Sequence, residues 1–137
     1  EAREQAYGKK SLTKKSISRG LFSSLVKNNN IGKLVPMTRL INKADSISID
    51  DLLDFKFAVI SSKDARYLLN KDTINLFIKI NTIFIDISKY SLLSSKFEEL
   101  LGIGDIIVRP DKIVYGITSD EVTLQNLADE LLSRLIK

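Results

Sequence analysis

The sequence predicts an α/β domain, and three observations carry the prediction. Short runs rich in Val and Ile alternate with helical patterns through the middle of the chain. Two such runs near the C-terminus flank Pro110-Asp111, as the strands of a hairpin flank their turn. The last stretch carries an apolar stripe at helical spacing. At 137 residues the chain fits one domain of ordinary size.

The elements follow in order. Residues 1–30 read as a basic leader or linker, with Gly8, Gly20, five Ser and the run Asn28 to Asn30. Leu21, Phe22, Leu25 and Val26 have helical spacing and predict a short helix there, ended by Asn30, Ile31 and Gly32. The body, residues 31–137, opens with Leu34 to Ile41, an extended edge segment, since Pro36 belongs at an edge. Ser48 is placed to cap a short helix, with Asp51 completing a capping box. Phe57 to Ser61 is an apolar run between polar borders, the pattern of a buried strand. Asp64 caps a helix starting at Ala65. The far end of that helix is ambiguous: Ile74, Leu76, Ile78 and Ile80 alternate like a strand, while Leu69, Leu76 and Phe77 suit a helix.

Thr82 to Ser88 is rich in β-branched residues and reads as the next strand. Phe97, Leu100 and Leu101 fit a short helix that Gly102 and Gly104 end. Asp105 to Arg109 and Lys112 to Gly116 then form the hairpin. The final helix has Leu124, Leu127, Ala128, Leu131 and Leu135 on one face, with Thr118 and Glu121 as its capping box. The regular part of this order, β-α-β-α-β-β-α, pairs a parallel first half with an antiparallel second half. That is the arrangement of a thioredoxin-like fold, and a fold by itself carries no function.

Composition removes whole classes of chemistry. There is no Cys, which excludes thiol nucleophiles, thiolate metal sites and a Cys-x-x-Cys redox centre. There is no His, which excludes Ser-His-Asp catalysis and imidazole ligands. In a redox-active thioredoxin the Cys pair opens the helix after the central strand; here that place is Ser61-Ser62-Lys63-Asp64. The proline that would precede the hairpin is missing near Gly104-Asp105. A dithiol oxidoreductase is excluded. No apolar run approaches the roughly 20 residues that span a bilayer, and no signal-peptide pattern opens the chain, so a cytoplasmic protein without membrane contact is expected. The first residue is Glu1, which suggests a fragment of something longer.

Charge is uneven. Residues 1–43 hold ten Lys/Arg and two Asp/Glu, whereas residues 44–137 hold eleven and fifteen. A basic arm of this kind can contact nucleic acid. Here its Lys are interleaved with Ser and Thr and lack stacking aromatics, so a solvated linker is the better reading. A free-standing partner-binding or nucleic-acid-binding protein stays as the alternative function.

Local candidates for chemistry yield to simpler readings. Gly102-Ile103-Gly104 lacks the third glycine of a dinucleotide fingerprint and precedes a strand, so it is a turn. Asp50, Asp51 and Asp54 do not have calcium-loop spacing and suit a helix start. Glu98 and Glu99 do not share a helix face. Tyr67, Tyr90 and Tyr115 have no evident basic partner.

Three segments carry a resemblance. Gly32 to Pro36, Asp51 to Ile60, and Ile107 to Val114 with Val108-Arg109-Pro110-Asp111 at its centre resemble the C-terminal region of class A FAD-dependent aromatic hydroxylases, the phenol hydroxylase and hydroxyphenylpropionate hydroxylase relatives. Lys112 departs from the Gly often found after Arg-Pro-Asp in that family, and Ser18 to Phe22 matches the tail of the connection from the catalytic domain. The resemblance implies a thioredoxin-like module without redox cysteines, in a parent enzyme that binds FAD, uses NAD(P)H and oxygen, and hydroxylates an aromatic ring. It implies no catalytic, cofactor or metal residue in this chain, whose role would be subunit assembly and support of the catalytic flavin domain. The expected contact surface, within a possible homodimer, is the exposed edge and hairpin tip: Leu34, Val35, Arg109, Pro110, Asp111 and Lys112.

Overall fold

The computed structural model describes residues 21–43, 45–92 and 94–135. Among these residues seven strands and four α-helices follow one another: β1 (Arg39–Asn42), β2 (Asp45–Ser48), α1 (Ile49–Leu53), β3 (Ala58–Ser61), α2 (Lys71–Lys79), β4 (Ile83–Asp86), β5 (Ser91–Leu92), α3 (Ser95–Ile103), β6 (Ile106–Val108), β7 (Val114–Ile117) and α4 (Leu124–Leu135). The main sheet has four strands in the order β4-β3-β6-β7. β3 and β4 are parallel, Val59 opposite Phe84, while β6 runs antiparallel to both β3 and β7. The sheet is therefore mixed and the domain is α/β. No helix among the described residues is long and apolar enough to cross a membrane.

Every residue of β3 is buried, because both faces of the sheet are covered. Phe57, Val59, Ile107 and Tyr115 meet α2 and α4 on one face. Ala58, Ile60, Ile106, Val108 and Ile117 meet α1, α3 and Leu40 of β1 on the other. The period-2 alternation of a strand divides the continuous Phe-Ala-Val-Ile run between two cores. In α4 four residues of the predicted face, Leu124, Leu127, Ala128 and Leu131, are buried and Leu132 joins them, while Leu135 is partly buried. Each such leucine contributes about 2 kcal/mol by leaving water.

Several expectations need correction. β1, β2 and β5 form a second, three-stranded antiparallel sheet in the order β2-β1-β5. The extended segment from Leu34 is consequently split. Leu34 bridges Ile113, and only from Arg39 does the chain enter β1. Ser48 caps α1 as expected, accepting from Asp51 N at 3.2 Å. Asp64 caps only a single 3-10 turn, Ala65–Tyr67, and Asn70 starts α2 by accepting from Thr73 N at 2.8 Å. The helical reading wins there because Thr73 and Phe77 are buried one helical turn apart with Ile74, Leu76 and Ile80 packed beside them, whereas strand alternation would bury Ile78, which is 58% exposed.

The cap of α4 is Thr123, not Thr118. Thr123 Oγ1 accepts from Asn126 N and Asn126 Oδ1 accepts from Thr123 N, at 3.1 and 2.9 Å. The hydroxyl of Thr118 is committed elsewhere, accepting from Asp105 N at 2.9 Å. That contact explains Gly104: a Cβ there would lie 2.5 Å from both Thr118 O and Oγ1.

Residues 21–30 form turns and no helix. Leu21 and Ser23 are buried, and Leu21 belongs to the core beneath α4. The basic positions of the leader from Arg3 to Arg19, and the Ser18–Gly20 part of the predicted connection, lie outside the described residues.

Candidate interaction surface

The residues singled out at the hairpin are brought together, but they do not form one exposed surface. Arg109 N donates to Ile113 O and Lys112 N to Arg109 O, both at 2.9 Å, closing a tight loop around Pro110-Asp111. Lys112 has φ +69°, the left-handed conformation that glycine takes without strain. Its side chain is held on two sides, by an ion pair with Asp50 and by the Phe55 ring 4.6 Å from Nζ.

Arg109 is fully buried. Its Nε donates to Asp111 Oδ1 at 3.0 Å and its Nη2 pairs with Asp111 Oδ2. Nη1 reaches Leu21 O at 3.4 Å, and the guanidinium lies over the Phe22 ring, 4.7 Å from its centre. A buried guanidinium survives only when paired in this way. Arg109 is therefore an internal clamp on the segment before the body, and its place on an exposed tip is corrected. Val35 is likewise buried, at 1% exposure. Pro110, Asp111 and Lys112 are half-buried, and Leu34 is 67% exposed.

The segment from Leu21 to Val35 forms a strap along the outer edge of β7. Ser23 N donates to Tyr115 O, Gly32 N to Val114 O, and Val35 N to Lys112 O, at 2.8–3.0 Å. Gly116 permits the approach: a Cβ there would sit 2.9 Å from Ser23 Cβ. The two edges expected to offer free backbone to a partner thus satisfy each other along the strap.

A second polar cluster ties the strap to α4. Glu130 accepts from Tyr115 Oη at 2.7 Å and from Ser24 N and Oγ at 3.0 and 3.1 Å. Arg134 Nη2 lies 3.4 Å from the same carboxylate, and Nη1 donates to Phe22 O. Burial alone pushes the Glu130 carboxyl up, but hydrogen bonds from Tyr115 and the strap serines outweigh it and hold the group below its ordinary 4.5. Burial, and then the neighbouring carboxylate, raise the Tyr115 phenol well above its usual range.

A depressed carboxylate contributes stability that is present above its unfolded pKa and lost as pH falls through its folded one. Unfolding in urea at pH 6 and at pH 3 should therefore show a larger loss for the native chain than for Glu130→Gln. Equal losses in the two proteins would remove Glu130 from the acid response.

Three large apolar side chains of this region are exposed, beside charged ones. Phe55 is 74%, Leu34 67% and Met37 49% exposed. Phe55 was not singled out by its sequence, and it follows Asp54 in the left-handed region, at φ +56° and +47°. Two successive non-glycine residues in that conformation are strained.

At the Ser61–Asp64 site, Ser62 N donates to Asp105 Oδ1 at 3.1 Å, so the two places compared with a redox centre do adjoin. Asp64 is held at about 2 by hydrogen bonds from the Arg66 side chain and backbone. No cluster of three metal-binding side chains occurs among the described residues, and Asp50, Asp51 and Asp54 serve the ion pair and the ends of α1.

No family model matches the chain, and no curated protein does. Among solved structures it is similar to CabE, an aromatic hydroxylase from angucycline biosynthesis, with TM-score 0.54 and 18% identity over 80% of this chain and 21% of that one. A second is aklavinone-11 hydroxylase in complex with FAD and aklavinone, with TM-score 0.49 and 20% identity over 74% and 20% of the two chains. The chain spans about a fifth of the length of either hydroxylase. The likeness to CabE shows a shared fold.

Proposed function

We propose that this chain is a thioredoxin-like domain, without redox function, of an FAD-dependent aromatic-ring monooxygenase, where it supports subunit assembly and the catalytic part. The observation that carries the reading is the pair of coverages: four-fifths of this chain matches one-fifth of a hydroxylase. The sheet order, parallel in its first pair and antiparallel in the rest, supports the thioredoxin-like assignment. The Val-Arg-Pro-Asp segment gains weight because its arginine clamps the strap and the lysine after it packs on the exposed Phe55. FAD and NAD(P)H belong to the catalytic part of the parent, in the cytoplasm. The partners are that flavin domain and a second subunit, with no nucleic acid or membrane.

In this reading Leu34 and Phe55 touch the partner. Both are exposed, so Leu34→Ser with Phe55→Asn should leave the isolated domain as stable as before. Phe55→Asn also suits the left-handed backbone. In the full-length parent the pair should shift sedimentation toward smaller species or lower the hydroxylation rate. Unchanged assembly and rate would reject the patch as the contact. A reading frame around this chain with no strand-linked Gly-x-Gly-x-x-Gly would reject the parent enzyme itself.

A further inference from the structure

The strap covers one edge of the main sheet and leaves the other open: β4 is the outer strand, with none beyond it among the described residues. Beside it runs a groove of about 450 Å³, lined by Ile74 and Ile78 of α2, by Asn81 to Phe84 at the start of β4, and by Lys56 and Arg66. Its volume falls in the range of small-ligand sites. Ile78 is 58% exposed, an apolar side chain left facing the opening.

The chemistry of the lining is one-sided. It contains two cations and no carboxylate. Asp64 engages Arg66 at 2.6 Å and Asp54 lies 3.7 Å from Lys56, but neither acid lines the groove. Thr82 also lines it, and its hydroxyl is the one buried side-chain polar atom without a hydrogen-bond partner among the described residues. Buried polar groups nearly always find partners, so this orphan, on a residue that lines the groove, marks a place where a further polar group belongs. Asn81, at φ +61°, brings the chain from α2 into β4 at the same rim.

We infer that this groove binds a small amphiphilic anion, a carboxylate or sulfonate carried on an apolar body. The apolar part lies on Ile74, Ile78 and Phe84. The anionic head meets Lys56 and Arg66, and a small turn of the Thr82 side chain toward the groove gives its hydroxyl an acceptor there. The site does not rest on the hydroxylase reading: it opens at β4, the edge of the main sheet opposite the strap.

Sodium heptanoate titrated into the 15N-labelled chain should shift the amides of Asn81, Thr82 and Phe84 saturably. Hexan-1-ol has the same apolar body, a six-carbon chain, and no charge, and should bind at least about fivefold more weakly. Lys56→Ala with Arg66→Ala alters only exposed side chains. It should weaken heptanoate by about the same factor and leave the alcohol unchanged. Ile78→Asp should abolish both. Shifts scattered over the surface, equal affinity for acid and alcohol, or a double variant that binds heptanoate normally would each overturn the assignment.

Discussion

Arg109→Glu should unfold the domain or bring it close to unfolding, whereas Lys112→Glu three residues on should cost about 1 kcal/mol or less. The two positions flank one turn and look equivalent in sequence. They differ in burial: Arg109 has no exposed surface, while Lys112 is half-buried and faces Asp50 and the Phe55 ring. A glutamate at 109 would place an unpaired carboxylate in the core next to Asp111, against a total stability of roughly 5–15 kcal/mol for a domain. Removing a buried pair's cation typically costs about 3–5 kcal/mol, so Arg109→Ala should already be severe. Arg109→Lys should not restore stability, because one ammonium cannot serve Asp111, Leu21 O and the Phe22 face together. Urea unfolding of the four variants checks this. Similar small losses at both positions would mean that Arg109 is solvated and the clamp is not formed.

The contrast shows where the sequence is legible. β3, β4, the β6–β7 hairpin and α4 could be read because each writes its burial into a local pattern: a continuous apolar run, β-branched residues, turn chemistry, a helical stripe. β2 could not, because Asp-Ser-Ile-Ser has no apolar alternation worth the name and β5 is two residues long. Their pairing with β1 is what makes them strands. Thr118-x-x-Glu121 satisfies the capping pattern, yet the Thr118 hydroxyl is claimed by Asp105, a contact only the hairpin creates. Turn chemistry locates the hairpin but not the burial of its arginine, because the Leu21 carbonyl that meets Arg109 stands 88 residues earlier in the chain. A guanidinium beside a turn reads as solvated until a distant segment folds over it. Phe55 carried no signal either, since an exposed aromatic looks like a core residue in sequence.

The strap offers the second large effect, and it separates the helix that residue spacing predicts from the turns that form. In a helix with Leu21, Phe22, Leu25 and Val26 on one face, Leu21 and Leu25 would be interchangeable. In the fold Leu21 is buried against α4 while Leu25 is 44% exposed. Leu21→Ala should therefore cost about 2–3 kcal/mol, and Leu25→Ala should stay within about 0.5 kcal/mol. Removing the first part of the strap, residues 21–30, acts on more than one contact. A chain of residues 31–137 loses the Leu21 carbonyl and Phe22 ring that satisfy Arg109, the Phe22 carbonyl held by Arg134, and the Ser24 groups on Glu130. It also uncovers the Ser23-facing stretch of β7. Its urea midpoint should fall below that of Leu21→Ala, and its sedimentation should become concentration-dependent as the opened edge pairs with other copies. A chain of residues 21–137 should show neither change. If 31–137 unfolds at the same denaturant concentration as 21–137 and stays monomeric to the same degree, the strap is a passenger on a self-sufficient body.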